Sequence, residues 1–156
     1  MDQIKPFENS IFDERNLERA TTSQRFANYI VDIIVFYALI FAFGIIVGIF
    51  SPQLIYDIGY WADKNVFLDR ILSLLLFGIY MGITEMLLNG RTIGKFVTGT
   101  KSVTEEGDQI DKGTLFKRGM IKAVPFCAFS ALGASCYPWQ DKWTNTMVID
   151  LKKSTL

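Results

Sequence analysis

The sequence predicts an all-α membrane protein: two transmembrane helices, a third hydrophobic region that is bent or re-entrant, and a small cytoplasmic β-hairpin. Three observations lead there. From Tyr29 to Phe50 the chain is apolar except for Asp32, and a second apolar run covers residues 68–88. Each run reaches the roughly 20 residues of helix that a hydrocarbon core requires. Basic residues concentrate on one side of this pair: Arg15, Arg19 and Arg25 precede the first run, and Arg91, Lys95, Lys101, Lys112, Lys117, Arg118 and Lys122 follow the second. Because Lys and Arg favour cytoplasmic segments, the amino terminus and residues 89–118 are read as cytoplasmic.

Composition narrows the function classes. At 156 residues the chain is one domain, half of it is hydrophobic, and Phe alone occurs 13 times. Sixteen basic residues balance sixteen acidic ones, and no basic stripe with interleaved aromatics points to nucleic acid. His is absent, which removes the side chain that titrates nearest neutrality and the commonest metal ligand. Cys127 and Cys136 have neither zinc-knuckle nor C-x-x-C spacing and read as small core residues. The polar start lacks the features of a cleaved signal, so the first helix is the expected insertion signal.

Taken in order, residues 1–22 form a polar cytoplasmic tail in which 13–20 are either a short surface helix or disordered. The membrane domain is residues 23–151. Its first helix runs over 24–50 and stops at Ser51-Pro52, since proline cannot continue the ladder. Residues 52–69, with Asp57, Asp63, Asp69, Tyr56, Tyr60 and Trp61, read as an outer loop along the headgroups. The second helix covers 68–88, and Asn89-Gly90 stops it. Residues 95–104 alternate loosely, and Glu106-Gly107-Asp108 supplies a turn, which predicts a β-hairpin. Residues 146–151 are strand-like and offer it a partner. The third hydrophobic region, 119–139, is broken by Pro125, Gly133 and Pro138, and is read as returning to the cytoplasm rather than crossing. Residues 152–156 are a tail.

The polar residues inside the apolar runs are the candidate site. Arg25 and Asp32 lie two turns apart on one face of the first helix, with Asn28 between them. Glu85 lies near the end of the antiparallel second helix, so both acids fall in the same half of the bilayer. A carboxylate there costs at least about 2.5–3.5 kcal/mol unless it finds a partner. Arg25–Asp32 and Arg91–Glu85 pairs, helped by Asn28 and Thr84, would fasten the helices. Alternatively Asp32 or Glu85 would bind and release a cation or proton. Desolvation raises such pKa values and adjacent cations lower them, so residue types alone leave both readings open. Residues 90–95 (GRTIGK) resemble a phosphate loop but are one residue short and lack the hydroxyl after Lys95. A basic turn facing the headgroups is the better reading. No nucleophile–base pair or metal cluster stands out. The chain is read as not an enzyme, with no cofactor and no metal.

These residues resemble the RDD family of small bacterial membrane proteins, named for an arginine and two aspartates. R-F-A-N-Y-I-V-D matches the arginine that opens helix one and the aspartate within it, Arg25 and Asp32. Glu85 with the following G-R-T-I-G-K-F-V-T-G-T-K-S-V matches the family's acid and its glycine–lysine signature, fixing Gly90, Thr92, Gly94, Lys95 and Gly99 together. Arg118 stands where the family often has an arginine, and Asp141 with Thr146 resembles the closing aspartate–threonine–strand element. The chain departs at Gln140, where many relatives carry histidine or a basic cluster, and in its short last apolar region.

The resemblance implies a bacterial inner-membrane protein of poorly defined function, for which transport, including sodium–proton exchange, has been suggested. The expectation is therefore small-cation or proton transport, with Asp32, Glu85 and Asp141 as ion- or proton-binding candidates. Arg25, Asn28, Arg91, Lys95 and Arg118 are the charge partners, Arg25 tuning Asp32. So small a bundle calls for a homo-oligomer, and Gly44 and Gly48 form a G-x-x-x-G in helix one that offers a contact. The alternative is a non-transporting scaffold or accessory subunit that engages a protein partner or anionic lipid. Beyond these the bilayer is the one partner expected.

Overall fold

A computed structural model describes residues 16–124 and 138–155. Helix α1 spans Thr22–Phe50. Its start is fixed by a capping box: the Thr21 side chain accepts from the Gln24 backbone, and the Gln24 side chain accepts from the Thr21 N–H. Ser51 ends α1 and also begins α2, Pro52–Lys64, with Pro52 in the first helical position where its missing N–H is harmless. The expected outer loop is thus a helix. Contacts four residues apart, Gln53 to Asp57 and Lys64 over the Tyr60 ring, support it. None of its residues is buried.

Helix α3, Val66–Leu87, begins two residues earlier than predicted. It ends as expected: Asn89 and Gly90 take positive φ values of 49° and 87°, and the Gly90 N–H returns to the Glu85 carbonyl. Helices α1 and α3 are both long and apolar enough to cross a membrane. Their side chains point outward unpacked, Phe50 being 84% and Phe67 77% exposed, as suits an apolar solvent. The two helices meet mainly where Phe36, Phe77 and Met81 form a small buried cluster.

The remaining elements gather at the end where α1 starts and α3 stops. They are α4 (Ile93–Thr98), β1 (Thr100–Thr104), α5 (Lys112–Ile121), α6 (Trp139–Thr144) and β2 (Thr146–Asp150). The predicted local hairpin does not form. Residues 93–98 are helical, capped by Thr92 and closed by Gly99 in the left-handed region. Strand β1 pairs antiparallel with β2, Thr100 opposite Asp150 and Thr104 opposite Thr146, as the strand-like character of 146–151 anticipated. Residues 16–20 are not helical either. They run extended along the other edge of β2, with Ala20 N–H on Val148 O and Asp150 N–H on Glu18 O, both 2.9 Å. With both edges paired, every residue of β2 is buried. Val103, Met147 and Ile149 form its core with Leu17 and Leu151. Propensity lost to tertiary pairing at both places.

Helix α5, within the predicted loop and the third hydrophobic region, is capped by Asp111 and lies against α3. The contact runs through glycines. A Cβ on Gly119 would overlap the Gly82 backbone, and one on Gly82 or Gly78 would strike Phe116 or Ala123. The G-x-x-x-G that packs within the chain is therefore Gly78/Gly82. Among the described residues nothing lies within 4 Å of a Cβ placed at Gly44, and only a side-chain carbon of Ile55 lies near one at Gly48. The bend predicted at Pro125 and Gly133, and Cys127 and Cys136, lie outside the described residues. The flanks of that segment are held close together, because Arg118 of α5 is paired with Asp141 of α6.

Candidate functional site

Seven of the eight predicted site residues, all but Arg91, belong to two buried assemblies at the junction of α1, α3 and the elements after them. The first assembly is polar but not ionic. Asp32 accepts from the Thr92 hydroxyl (2.7 Å) and the Gly94 N–H (2.8 Å), so α4 presents its positive, unsatisfied end to the carboxylate. Helix α1 can approach this closely because Gly94 has no side chain: a Cβ there would overlap the Asn28 backbone. The Asn28 amide is best oriented with its nitrogen donating to the Gly94 carbonyl (2.9 Å) and its oxygen accepting from the Thr100 hydroxyl (2.9 Å).

The second assembly is a chain of charges. Arg25 donates to one oxygen of Asp141 (2.5 Å), and Arg118 to the other (2.7 Å). Arg118 continues to Glu85 (3.3 Å), whose oxygens also receive Lys95 (2.5 Å) and Lys122 (3.2 Å). The Ser102 hydroxyl donates to Glu85 (2.7 Å) while accepting from Lys95 and Arg118. Thr146 and Thr144 accept from the remaining guanidinium nitrogen of Arg118. Glu85, Arg118 and Asp141 are each 0% exposed. Five helices or their ends thus converge on one line of six residues: Arg25, Asp141, Arg118, Glu85, then Lys95 and Lys122.

Two expected pairs are corrected by this geometry. Arg25 meets Asp141 rather than Asp32, because β2 and α6 occupy the side of α1 that Arg25 faces; it also donates to the Ala20 and Val148 carbonyls. Arg91 does not reach Glu85. It lies over the Phe96 ring at 5.1 Å, since the left-handed turn at Asn89-Gly90 directs it away while α4 brings Lys95 inward. Lys95 is a charge partner, as expected, but the basic turn at 90–95 does not direct it to the headgroups: it is 3% exposed and pairs with Glu85.

Four cations and two carboxylates make the ionic line positive when all are charged, and the neighbouring Asp32 does not fully offset this. Burial, reinforced by Lys122 and Arg118, brings Lys95 down to about 8 despite the attraction of Glu85. For Arg118, burial works against the charge, but Asp141 and Glu85 outweigh it and its pKa is raised. Asp150, at the edge of the same module, is lowered by the hydrogen bond from the Gln24 side chain.

The sequence reading missed Ser102, and it named Thr92 and Thr146 as parts of the family motifs without giving them a place in the site. Their one signal was position: Thr92 precedes a helix that ends in glycine, and Ser102 alternates inward with Thr100 on β1. Among the described residues no group of acids is arranged to hold a metal ion, and the only buried side-chain polar atom without a hydrogen bond is the Tyr80 hydroxyl. The arrangement can clamp helices together. To bind a further cation it would first have to release one of its own.

In comparison with known proteins, residues 19–140 match the sequence profile described as the RDD family. No curated protein and no solved structure matches the chain.

Proposed function

The chain belongs to the RDD family, a membrane protein family, and from that premise we propose that it is a non-transporting accessory or scaffold subunit. It would be a multi-pass protein of the bacterial inner membrane with its amino terminus in the cytoplasm. The module of α4, α5, α6 and the two strands would then stand at the cytoplasmic face and present a fixed surface to a protein partner or anionic lipid. One observation carries this reading: Glu85, the candidate exchange site on α3, already holds three cations and a hydroxyl of its own chain. Asp32 and Asp141 are likewise occupied by fixed donors. A sodium or potassium ion entering this site would meet four positive side chains. The basic residues on the module's side of the helices support the orientation. Among the described residues nothing covers Gly44, and that face of α1 would receive a second copy.

The test is cation-driven proton movement in proteoliposomes, with wild type, Asp32→Asn and Glu85→Gln at matched incorporation. The scaffold reading expects no Na⁺- or K⁺-dependent pH change from folded wild-type protein. A change present in wild type and lost in the variants would overturn it. A second reading, proton exchange, is favoured by the excess of cations and by the Lys95 pKa of about 8. On that reading Lys95, rather than a carboxylate, carries the proton, and Lys95→Met abolishes the pH change.

A further inference from the structure

Between α1 and α3 lies a cleft of about 240 Å³ that starts at Tyr29, one turn from Arg25 on α1, and reaches Arg70 near the start of α3. Phe36 and Phe77 line it with their rings 5.3 Å apart and edge-on, and Tyr29 and Ile33 line it on the side of the ionic network. Tyr37, Ser73, Leu74 and Arg70 complete the lining. Arg70 is seven residues from Phe77 along α3, about 10 Å, and its side chain is 75% exposed. Its one ion-pair contact among the described residues is the adjacent Asp69 at 4.0 Å, partly exposed itself.

An apolar cleft at bilayer depth neither stays empty nor fills with water. Enclosed apolar cavities are dry, and about 150 Å³ already suffices for a benzene-sized guest. The cleft is larger, is partly open, and carries one cation, Arg70, 15 residues or about 22 Å along α3 from Glu85. We propose that it is a binding site for an anionic phospholipid of the leaflet opposite the ionic network. Part of an acyl chain lies against Tyr37 and Leu74 and reaches Phe36 and Phe77. The headgroup phosphate accepts hydrogen bonds from Arg70, whose planar fork suits phosphate oxygens. The preference for an anionic over a zwitterionic lipid is about fivefold, the ratio one basic side chain gives at a charged lipid surface.

The experiment places a single tryptophan in the cleft as Tyr37→Trp, in a full-length chain whose Trp61, Trp139 and Trp143 are replaced by Phe. A second chain carries Phe43→Trp instead, on an exposed part of α1, and reports ordinary lipid contact and correct insertion. Both are reconstituted in phosphatidylcholine vesicles with a minor fraction of brominated lipid, either phosphatidylglycerol or phosphatidylcholine. Brominated phosphatidylglycerol is expected to quench the residue-37 reporter about fivefold more effectively per molecule, both species to quench the residue-43 reporter equally, and Arg70→Gln to remove the difference at 37. Equal quenching at 37 with Arg70 present overturns the proposal, as does a preference that survives Arg70→Gln. Absence of quenching at 37 while 43 is quenched also overturns it, since protein would then cover the cleft.

Discussion

Glu85→Gln tests whether the ionic line is a latch. The substitution keeps the shape of the side chain and an oxygen for the Ser102 hydroxyl, but removes the charge that three cations share. Lys95, Arg118 and Lys122 all lie within 3.3 Å of the Glu85 oxygens. Unit charges about 4 Å apart interact by about 4 kcal/mol at an effective dielectric of 20. Removing one member of a buried pair costs about 3–5 kcal/mol because its partner is left uncompensated. Arg118 keeps Asp141, whereas Lys95 and Lys122 lose their only carboxylate among the described residues. A loss of about 5 kcal/mol is therefore expected, a third or more of the stability of an ordinary domain. Lys95→Met alone should cost under about 1 kcal/mol, because Glu85 retains two cations and a buried ammonium is removed. In the Glu85→Gln background the same change should recover about 2 kcal/mol, since two ammonium groups no longer face each other unpaired. Denaturation in mild detergent, followed by the fluorescence of Trp139 and Trp143 on α6, gives all four corners of this cycle. A Glu85→Gln protein within about 1 kcal/mol of wild type, or additive effects of the two changes, would refute the latch.

Asp32→Asn should cost about 1–3 kcal/mol, because one of the two donors at Asp32 is left facing an amide N–H₂; the same denaturation assay reads it. Gly82→Ala and Gly119→Ala should each lose about 3 kcal/mol or more, as α3 and α5 cannot separate without breaking the Arg118 contacts. Gly44→Ala should be neutral in the monomer, and a fall in oligomer size on a sizing column would reveal a second copy at that face. Lys95 supplies a pH dependence. With a folded pKa of about 8 against 10.5 unfolded, the folded protein holds fewer protons than the unfolded chain between those values. Its contribution to stability therefore rises with pH across that window and is flat below it. The melting temperature of wild type relative to Lys95→Met should climb between pH 8 and 10; a flat difference would show that Lys95 titrates normally.

What the sequence determined by itself was everything governed by local composition and period. The apolar runs define α1 and α3 because their length matches a hydrocarbon core. Ser51-Pro52 and Asn89-Gly90 end them because proline and left-handed residues stop a helix wherever they fall. The residues of the site were legible too: Arg25, Asn28, Asp32, Glu85, Lys95, Arg118 and Asp141 are all buried. Buried charge in an apolar setting implies partners, so naming the acids amounted to predicting a network. The partners themselves were decided by tertiary structure. Arg25 and Asp32 share a helix face, yet α6 offers Asp141 to one and α4 offers its N–H groups to the other. Arg91 is nearer Glu85 in sequence than Lys95 is, yet the turn between them swings the first away and brings the second in. Residues 16–20 and 93–98 took the structure their neighbours required rather than the one their own pattern suggested. A desolvated charge is stabilised within a few ångströms, and which groups come that close depends on how α1, α3, α5 and the β-strands pack, which no spacing along the chain encodes.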